Sequence, residues 1–376
     1  LSQRRPIGRL DISSRETLAF LAWHRGLWST IMNQQVLPIE QLHCVSLIEE
    51  ALAHEPSQVQ YAHFPSCPEP IRIIRAADVL YIPRLRLQVM SGGAVPLEAL
   101  LDPSTLDLER VYTFPELDYN FEEPFSTRYR AEEVCILSNS WSMNFFHWIT
   151  EELIKVTVLE RSGFSGSYVL YDQPDFSREF LECLGIPAER VLVIGDEPTV
   201  FQTAVFMTPL NVTKLLKYPG VFFMLRSDLL KVADYGHTAT PRKIWLHRGQ
   251  QANSGRELIN AEEVHSLVER YGFEVVDMGA HPLRHQIAIA NRAEVIMGPH
   301  ASAFVHAAFM EPRSTVVECY SPEFINSGGF CQEICSLLRH RYFMLVPANA
   351  YGVYPYGQRL KLNCFQLELL LQSLEL

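Results

Sequence analysis

Three polar residues on one apolar segment are the first place in this sequence where chemistry is legible. In Met143-Asn144-Phe145-Phe146-His147-Trp148-Ile149-Thr150-Glu151-Glu152, Asn144, His147 and Glu151 stand at i, i+3 and i+7. On a helix that spacing puts them on one face. A histidine titrates near neutral pH, and a neighbouring carboxylate can orient its ring and raise its basicity. His147 with Glu151 is therefore a candidate acid/base pair, able to take a proton from a hydroxyl. The plain alternative is a buried pair that only holds the helix against a sheet. A second group suits an anion. Arg248 follows the apolar run Lys243–His247, and Arg256 sits in a polar loop ahead of a helical segment. Two guanidinium groups at such a place fit a pyrophosphate, or are simply solvated loop arginines. Gly298-Pro299-His300-Ala301-Ser302 joins a strand to a helix whose first turn, with Ser302, can face an anion. His300 can donate to a phosphate or a sugar hydroxyl. Glu318, at the end of the next strand, can accept from ribose hydroxyls or stand as an exposed strand-end carboxylate. There is no G-x-G-x-x-G, and the histidine spacings assign no metal site.

The elements that position these residues follow from hydrophobic period. Residues 15–30 and 39–54 carry apolar positions at helical spacing. Residues 61–125 break into short strands (79–82 and 85–89) and proline-punctuated turns. Strands are expected at 134–137, 167–171, 191–194 and 203–207, and helices at 177–184 and 215–233. Tyr235–Pro241 is the best linker. Beyond it the pattern alternates strictly: strands at 243–247, 273–277, 294–297 and 315–319, helices at 261–271, 283–292 and 302–309. A helix at 331–340, a strand at 342–346 and an apolar helix at 365–374 complete it. Such alternation implies βαβ units and a parallel sheet. In open α/β sheets ligands bind at the carboxyl edge of the strands. Arg248, Gly298–His300 and Glu318 all fall there.

The totals set the limits. The 376 residues allow two domains, and 48% hydrophobic with 20% charged residues allows sizeable cores. A formal net charge of −11 argues against a general nucleic-acid binder. Eight scattered cysteines suit buried free thiols in a reducing compartment. No apolar run reaches the roughly 18 residues of a membrane span. The first residue is Leu rather than Met, so a preceding signal or anchor is left open.

Taken together, these segments resemble glycosyltransferase family 61. The matching residues are Asn144-x-x-His147-Trp148-x-x-Glu151, Arg248, Arg256-x-Leu258-x-Asn260-x-Glu262, Tyr271–Val276, Gln286, Gly298-Pro299-His300, Phe309-Met310 and Val316-Val317-Glu318. Members of that family carry Gly-Ala or Gly-Gly after the Pro-His pair, where this chain has Ala301-Ser302. The resemblance implies a GT-B-like α/β fold, two Rossmann-like domains facing a cleft. The acceptor-binding domain would be 1–235, the nucleotide-sugar domain 236–348, and the tail 349–376 would return to the first domain. It implies an inverting transfer from a nucleotide-sugar donor, expected to be UDP-linked, to a glycan or glycoprotein hydroxyl, with no metal or other cofactor. His147 or Glu151 would be the base, and Arg248, Arg256, His300 and Glu318 would hold the diphosphate. Asn144, Asn260, Gln286, Gly298 and Ser302 would join them at the substrate. A non-catalytic relative that binds a nucleotide sugar or glycan is the alternative. A bacterial cytoplasmic enzyme of capsule or other polysaccharide synthesis is expected. A secretory-pathway enzyme with its anchor removed is the other placement. A peripheral membrane contact or a homo-oligomer is open, and a nucleic-acid partner is not expected.

Overall fold

The computed structural model describes residues 58–68, 70–83, 86–89, 128–138, 142–207, 218–236, 240–248, 258–320, 330–346, 350–351 and 359–374. The helices expected at 15–30 and 39–54, and Arg256, lie outside the described residues. The described chain is mixed α/β, built on two sheets rich in parallel strands.

The first sheet contains β1 (Gln58–Ala62), β2 (Ile71–Ile82), β3 (Leu87–Val89), β4 (Arg128–Ile136), β5 (Ser167–Tyr171), β6 (Val191–Ile194) and β7 (Thr199–Met207), in the order β1-β2-β7-β4-β5-β6 with β3 paired to β2. β7, β4, β5 and β6 run parallel. β1, β2 and β3 add an antiparallel flank, so this half departs from a purely parallel sheet. β2 is longer than expected because Ile71-Arg72-Ile73-Ile74 continues the β-branched pattern upstream of 79. Its Ile71 and Ile73 enter one core while Ile74, Ala76 and Val79 enter another, on the opposite face. β5 is buried through Tyr168, Val169 and Leu170, the continuous apolar run of a strand covered on both faces.

After β4 a helix starts at α1 (Phe145–His147), widens into a π-turn over Trp148–Glu152 and continues as α2 (Leu153–Arg161). α3 (Asp175–Cys183) follows β5, and α4 (Pro219–Lys231), with Pro at its first turn, follows β7. Pro fits there because the first helical N–H groups have no intrahelical partner.

The second sheet is fully parallel: β8 (Lys243–Leu246), β9 (Glu274–Val276), β10 (Val295–Pro299), β11 (Thr315–Cys319) and β12 (Arg341–Leu345), ordered β12-β11-β10-β8-β9. Its helices are α5 (Ala261–Arg270), α6 (Leu283–Arg292) and α7 (Phe330–Leu338). The segment expected as an α-helix at 302–309 is instead a 3-10 helix, Ser302–Phe309. Its residues from Phe304 to Phe309 are all buried. A 3-10 run this long is uncommon, since its hydrogen-bond geometry is poorer than that of an α-helix. A short ribbon, β13 (Ala350–Tyr351) with β14 (Arg359–Leu360), leads to α8 (Cys364–Ser373).

Among the described residues the tail packs on the second domain rather than returning to the first. Leu367 and Leu371 of α8 share a core with Trp245, Val264, Leu267 and Val268 of the second. The Asn260 amide fastens the approach: Nδ2 donates to the Leu362 carbonyl (2.9 Å) and Oδ1 accepts from Leu362 N–H (3.1 Å). Asn363 then caps α8 by accepting from the N–H groups of Phe365 and Gln366. The expected boundary at 235/236 falls between the two sheets. A single hydrophobic core nonetheless runs from Leu153, Val205 and Leu225 to Leu246, Ile296 and Phe304. Polar contacts stitch the same seam. Arg226 donates to the carbonyls of Ala308 (2.9 Å) and Met310 (2.8 Å), and Glu179 accepts from Leu283 N–H at the start of α6 (3.0 Å).

Candidate active site at the seam between the two sheets

The second sheet reverses its strand order beside β10, which runs directly into His300. In the second sheet the reversal lies between β8 and β10, the topological switch point where open α/β sheets open a crevice. The strands are parallel and register Met297 against Trp245. Arg248, two residues past β8, and His300, one past β10, therefore emerge at the same edge. Gly298 lies opposite Leu246: a Cβ there would meet the Leu246 carbonyl oxygen at 2.8 Å and its Cβ at 3.1 Å. Only glycine lets β10 pass this close. Ala301 has an extended backbone (φ −157, ψ 161) and is buried, a conformation alanine adopts without strain. Ser302 opens the 3-10 helix at the same edge.

His300 Nδ1 donates to Glu318 Oε1 at 2.5 Å, and its ring stacks on Tyr320 with centroids 4.5 Å apart at 24°. The His300 side chain is 24% exposed and that of Glu318 is fully buried. The other Glu318 oxygen accepts from the Tyr342 hydroxyl at 2.8 Å. This corrects the expected role of Glu318. Both carboxylate oxygens are occupied within the protein and neither faces solvent, so the residue cannot receive ribose hydroxyls. It fixes the ring of His300 through Nδ1.

The second histidine pair is local. His147 Nδ1 donates to Glu151 Oε1 at 2.7 Å, with side-chain exposures of 17% and 1%. The intervening turn is π rather than α, with Leu153 N–H reaching the Trp148 carbonyl. Thr150 Oγ1 donates to the Phe146 carbonyl at 2.9 Å, a back-bond that competes with the helical ladder. Single π-turns of this kind recur at functional sites. Burial raises the Glu151 carboxyl above its ordinary range, opposed by the hydrogen bond from His147. The neighbouring Glu152 is buried too, but it accepts from Lys155 Nζ at 3.0 Å. Asn144, expected on the same ligand face, is the N-cap: its Oδ1 accepts from Phe146 N–H at 2.9 Å.

Two further expectations resolve differently. Gln286 is turned inward, donating from Nε2 to the His281 carbonyl (2.8 Å) and facing His306 Nε2 with its Oε1 (3.0 Å). Asn260 is committed to the tail, as described above. Both amides are engaged with backbone and side-chain groups of the fold. The first sheet meanwhile contributes residues that periodicity did not flag. Arg86 donates from Nη1 to Ser138 Oγ (2.6 Å) and Ser142 Oγ (2.9 Å), and Gln173 Nε2 donates to Ser142 Oγ (2.8 Å). The Arg86 guanidinium lies 5.5 Å from the centre of the Tyr171 ring. This polar cluster occupies the carboxyl ends of β4 and β5. The one signal for it in sequence was position directly after two strands, where 172–175 reads as an ordinary solvated loop.

The two histidine segments approach each other across the seam. Phe145, two residues before His147, stacks on His306 of the 3-10 helix at 5.4 Å and 27°.

Residues 145–317 match the family model described as Glycosyltransferase 61. The matched stretch opens on the helix that carries His147 and closes next to Glu318, and it supports a glycosyltransferase. No curated protein matches the chain significantly. Among the solved structures that match is the iron-containing, dodecameric heptosyltransferase TibC in complex with ADP-D-β-D-heptose. It shares 11% identity over 82% of this chain and 86% of that one, with a TM-score of 0.32. A TM-score that low does not establish a shared fold.

Proposed function

We propose that the chain is an inverting glycosyltransferase of GT-B type, moving a sugar from a UDP-linked donor to a hydroxyl of a glycan or glycoprotein. The observation that carries this reading is the contact across the seam between the segment that opens on Phe145 and the 3-10 helix after His300, with His147 and His300 each oriented by a carboxylate. The acceptor oxygen forms the bond to the anomeric carbon while the bond from that carbon to the diphosphate oxygen breaks. His147 Nε2 takes the acceptor proton, its ring held by Glu151. The diphosphate leaves with the bonding electrons, and the positive charge of Arg248 and Arg256, the His300 ring and the N–H groups at Ser302 receive it. With the counter-charge supplied by side chains, a divalent cation is not required. Gly298 keeps the β8–β10 edge close enough for Arg248 and His300 to act on one group. The polar cluster around Arg86 and Gln173 faces the acceptor side. Polysaccharide synthesis in a bacterial cytoplasm is the setting we favour.

The test is a thermal-shift panel of nucleosides, nucleoside diphosphates and nucleotide sugars, run with and without EDTA. One diphosphate is expected to raise the melting temperature equally in both conditions. At a ligand concentration of about 100 times Kd the gain is about 2.7 kcal/mol. Arg248→Ala should remove it. Absence of a shift with every nucleotide would overturn the reading.

A further inference from the structure

His306 is buried in the 3-10 helix and takes no part in the mechanism above, yet it touches both halves of the molecule. Its ring is only 1% exposed. Nδ1 lies 2.8 Å from the Ala303 carbonyl in the first turn of Ser302–Phe309, beside the proposed diphosphate position, and the neutral ring has a single N–H to give to that carbonyl or to Gln286. Nε2 meets Gln286 Oε1 at 3.0 Å. The orientation of that amide is set from its other end, because Gln286 Nε2 donates to the His281 carbonyl. The face of the His306 ring lies against Phe145, the first residue of the helix that carries His147. Phe145 in turn packs on Phe176 and Phe180 of the first domain, at 5.2 and 5.6 Å. One line of contacts thus runs from α6 through Gln286 and His306 to Phe145 and the π-turn.

We infer that Gln286 and His306 are positioning residues, which set the distance between the base-bearing helix of the first domain and the diphosphate turn of the second. The role in transfer rests on the glycosyltransferase reading; the mechanical link does not. A ring pinned at one nitrogen to its own helix and facing a fixed amide at the other cannot rotate freely. The aromatic face that Phe145 leans on is therefore held at a fixed angle. Asn291, further along α6, donates to the Phe309 carbonyl (2.9 Å), so α6 holds the second half of the 3-10 helix at two points. Gln286 was expected at the substrate. Its inward turn gives it the same importance by a different route.

The experiment is amide hydrogen exchange on the full chain, comparing the natural protein with Gln286→Ala and His306→Phe, alone and with UDP, ADP or GDP. Gln286→Ala should speed exchange across 145–152 by about tenfold without ligand, the effect of losing one hydrogen bond of about 1.4 kcal/mol. In the natural protein a bound nucleoside diphosphate should slow exchange at 298–309 and at 145–152 together. In Gln286→Ala it should slow 298–309 alone. His306→Phe keeps the stack and removes both polar contacts, so it should lie between the two. If 145–152 exchanges identically in all three proteins, the link is overturned. If no nucleotide slows exchange anywhere, the glycosyltransferase reading fails, and the ligand-free comparison still decides the link.

Discussion

The two histidine–carboxylate pairs differ in how their carboxylates are held. Glu151 lies four residues from His147 on one helical stretch, so their hydrogen bond is set by local helix geometry. Glu318 comes from the strand beside that of His300, is fully buried, and is gripped at both oxygens, by His300 and by Tyr342. The first pair is local and can adjust with its π-turn. The second is built into a parallel sheet and cannot shift without moving β11 or β12. A proton acceptor benefits from the first arrangement and a fixed electrostatic anchor from the second, which is why the transfer step is assigned to His147 and diphosphate binding to His300.

The sharpest way to break this division is to remove each ring in turn. His147→Ala should lower transfer by about 10²- to 10⁴-fold and leave the thermal shift with nucleoside diphosphate intact. His300→Ala should weaken that shift. Parallel losses of both properties in both variants would show that the two rings act as one group.

His306, lying between the pairs, gives the next effect. Burial pushes its ring down to about 4, from an ordinary value of 6.5. As pH falls below about 6.5 the unfolded chain takes up a proton that the folded chain refuses until about 4. Stability is therefore lost across that window as the medium acidifies, by about 3 kcal/mol in total. Urea titrations at a series of pH values should show this slope in the natural protein and a flatter one in His306→Phe. Equal slopes would remove His306 as the cause.

The smallest effect separates the carboxylates themselves. Tyr342→Phe takes one donor from Glu318 and should cost about 1.5 kcal/mol, read from denaturant midpoints. No change at all would mean that the Tyr342 contact adds nothing to the hold on Glu318.

The same contrast explains what was legible in the sequence. His147 and Glu151 meet because residues four apart on a helix are neighbours, a rule that needs no tertiary information. The strand–helix alternation of 243–346 was readable from hydrophobic period, and it placed Arg248 and His300 at one edge. The partner of Glu318 depended on parallel register, which aligns Gly298 with Glu318 and Glu318 with Met344. Strand period tells nothing of that alignment. Asn144, Asn260 and Gln286 share a different lesson. Their residue types suit ligands and backbone equally well, and only the fold shows each amide spent on a cap, a tail or another side chain. The π-turn and the 3-10 helix escaped because both carry the same apolar spacing as an ordinary helix. The tail went to the second domain because Asn260 and the Trp245 core hold it there.

That placement of the tail has a mechanical consequence. Since α8 stays with the second sheet, the described chain passes between the two halves once, in the stretch joining α4 to β8. A single crossing acts as a hinge with one leaf pin. Among the described residues, the limit on how wide the halves can swing is set by the hydrophobic core they share, the Arg226 clasp and the contact of Glu179. Weakening either polar contact should widen the swing without touching a residue that meets substrate.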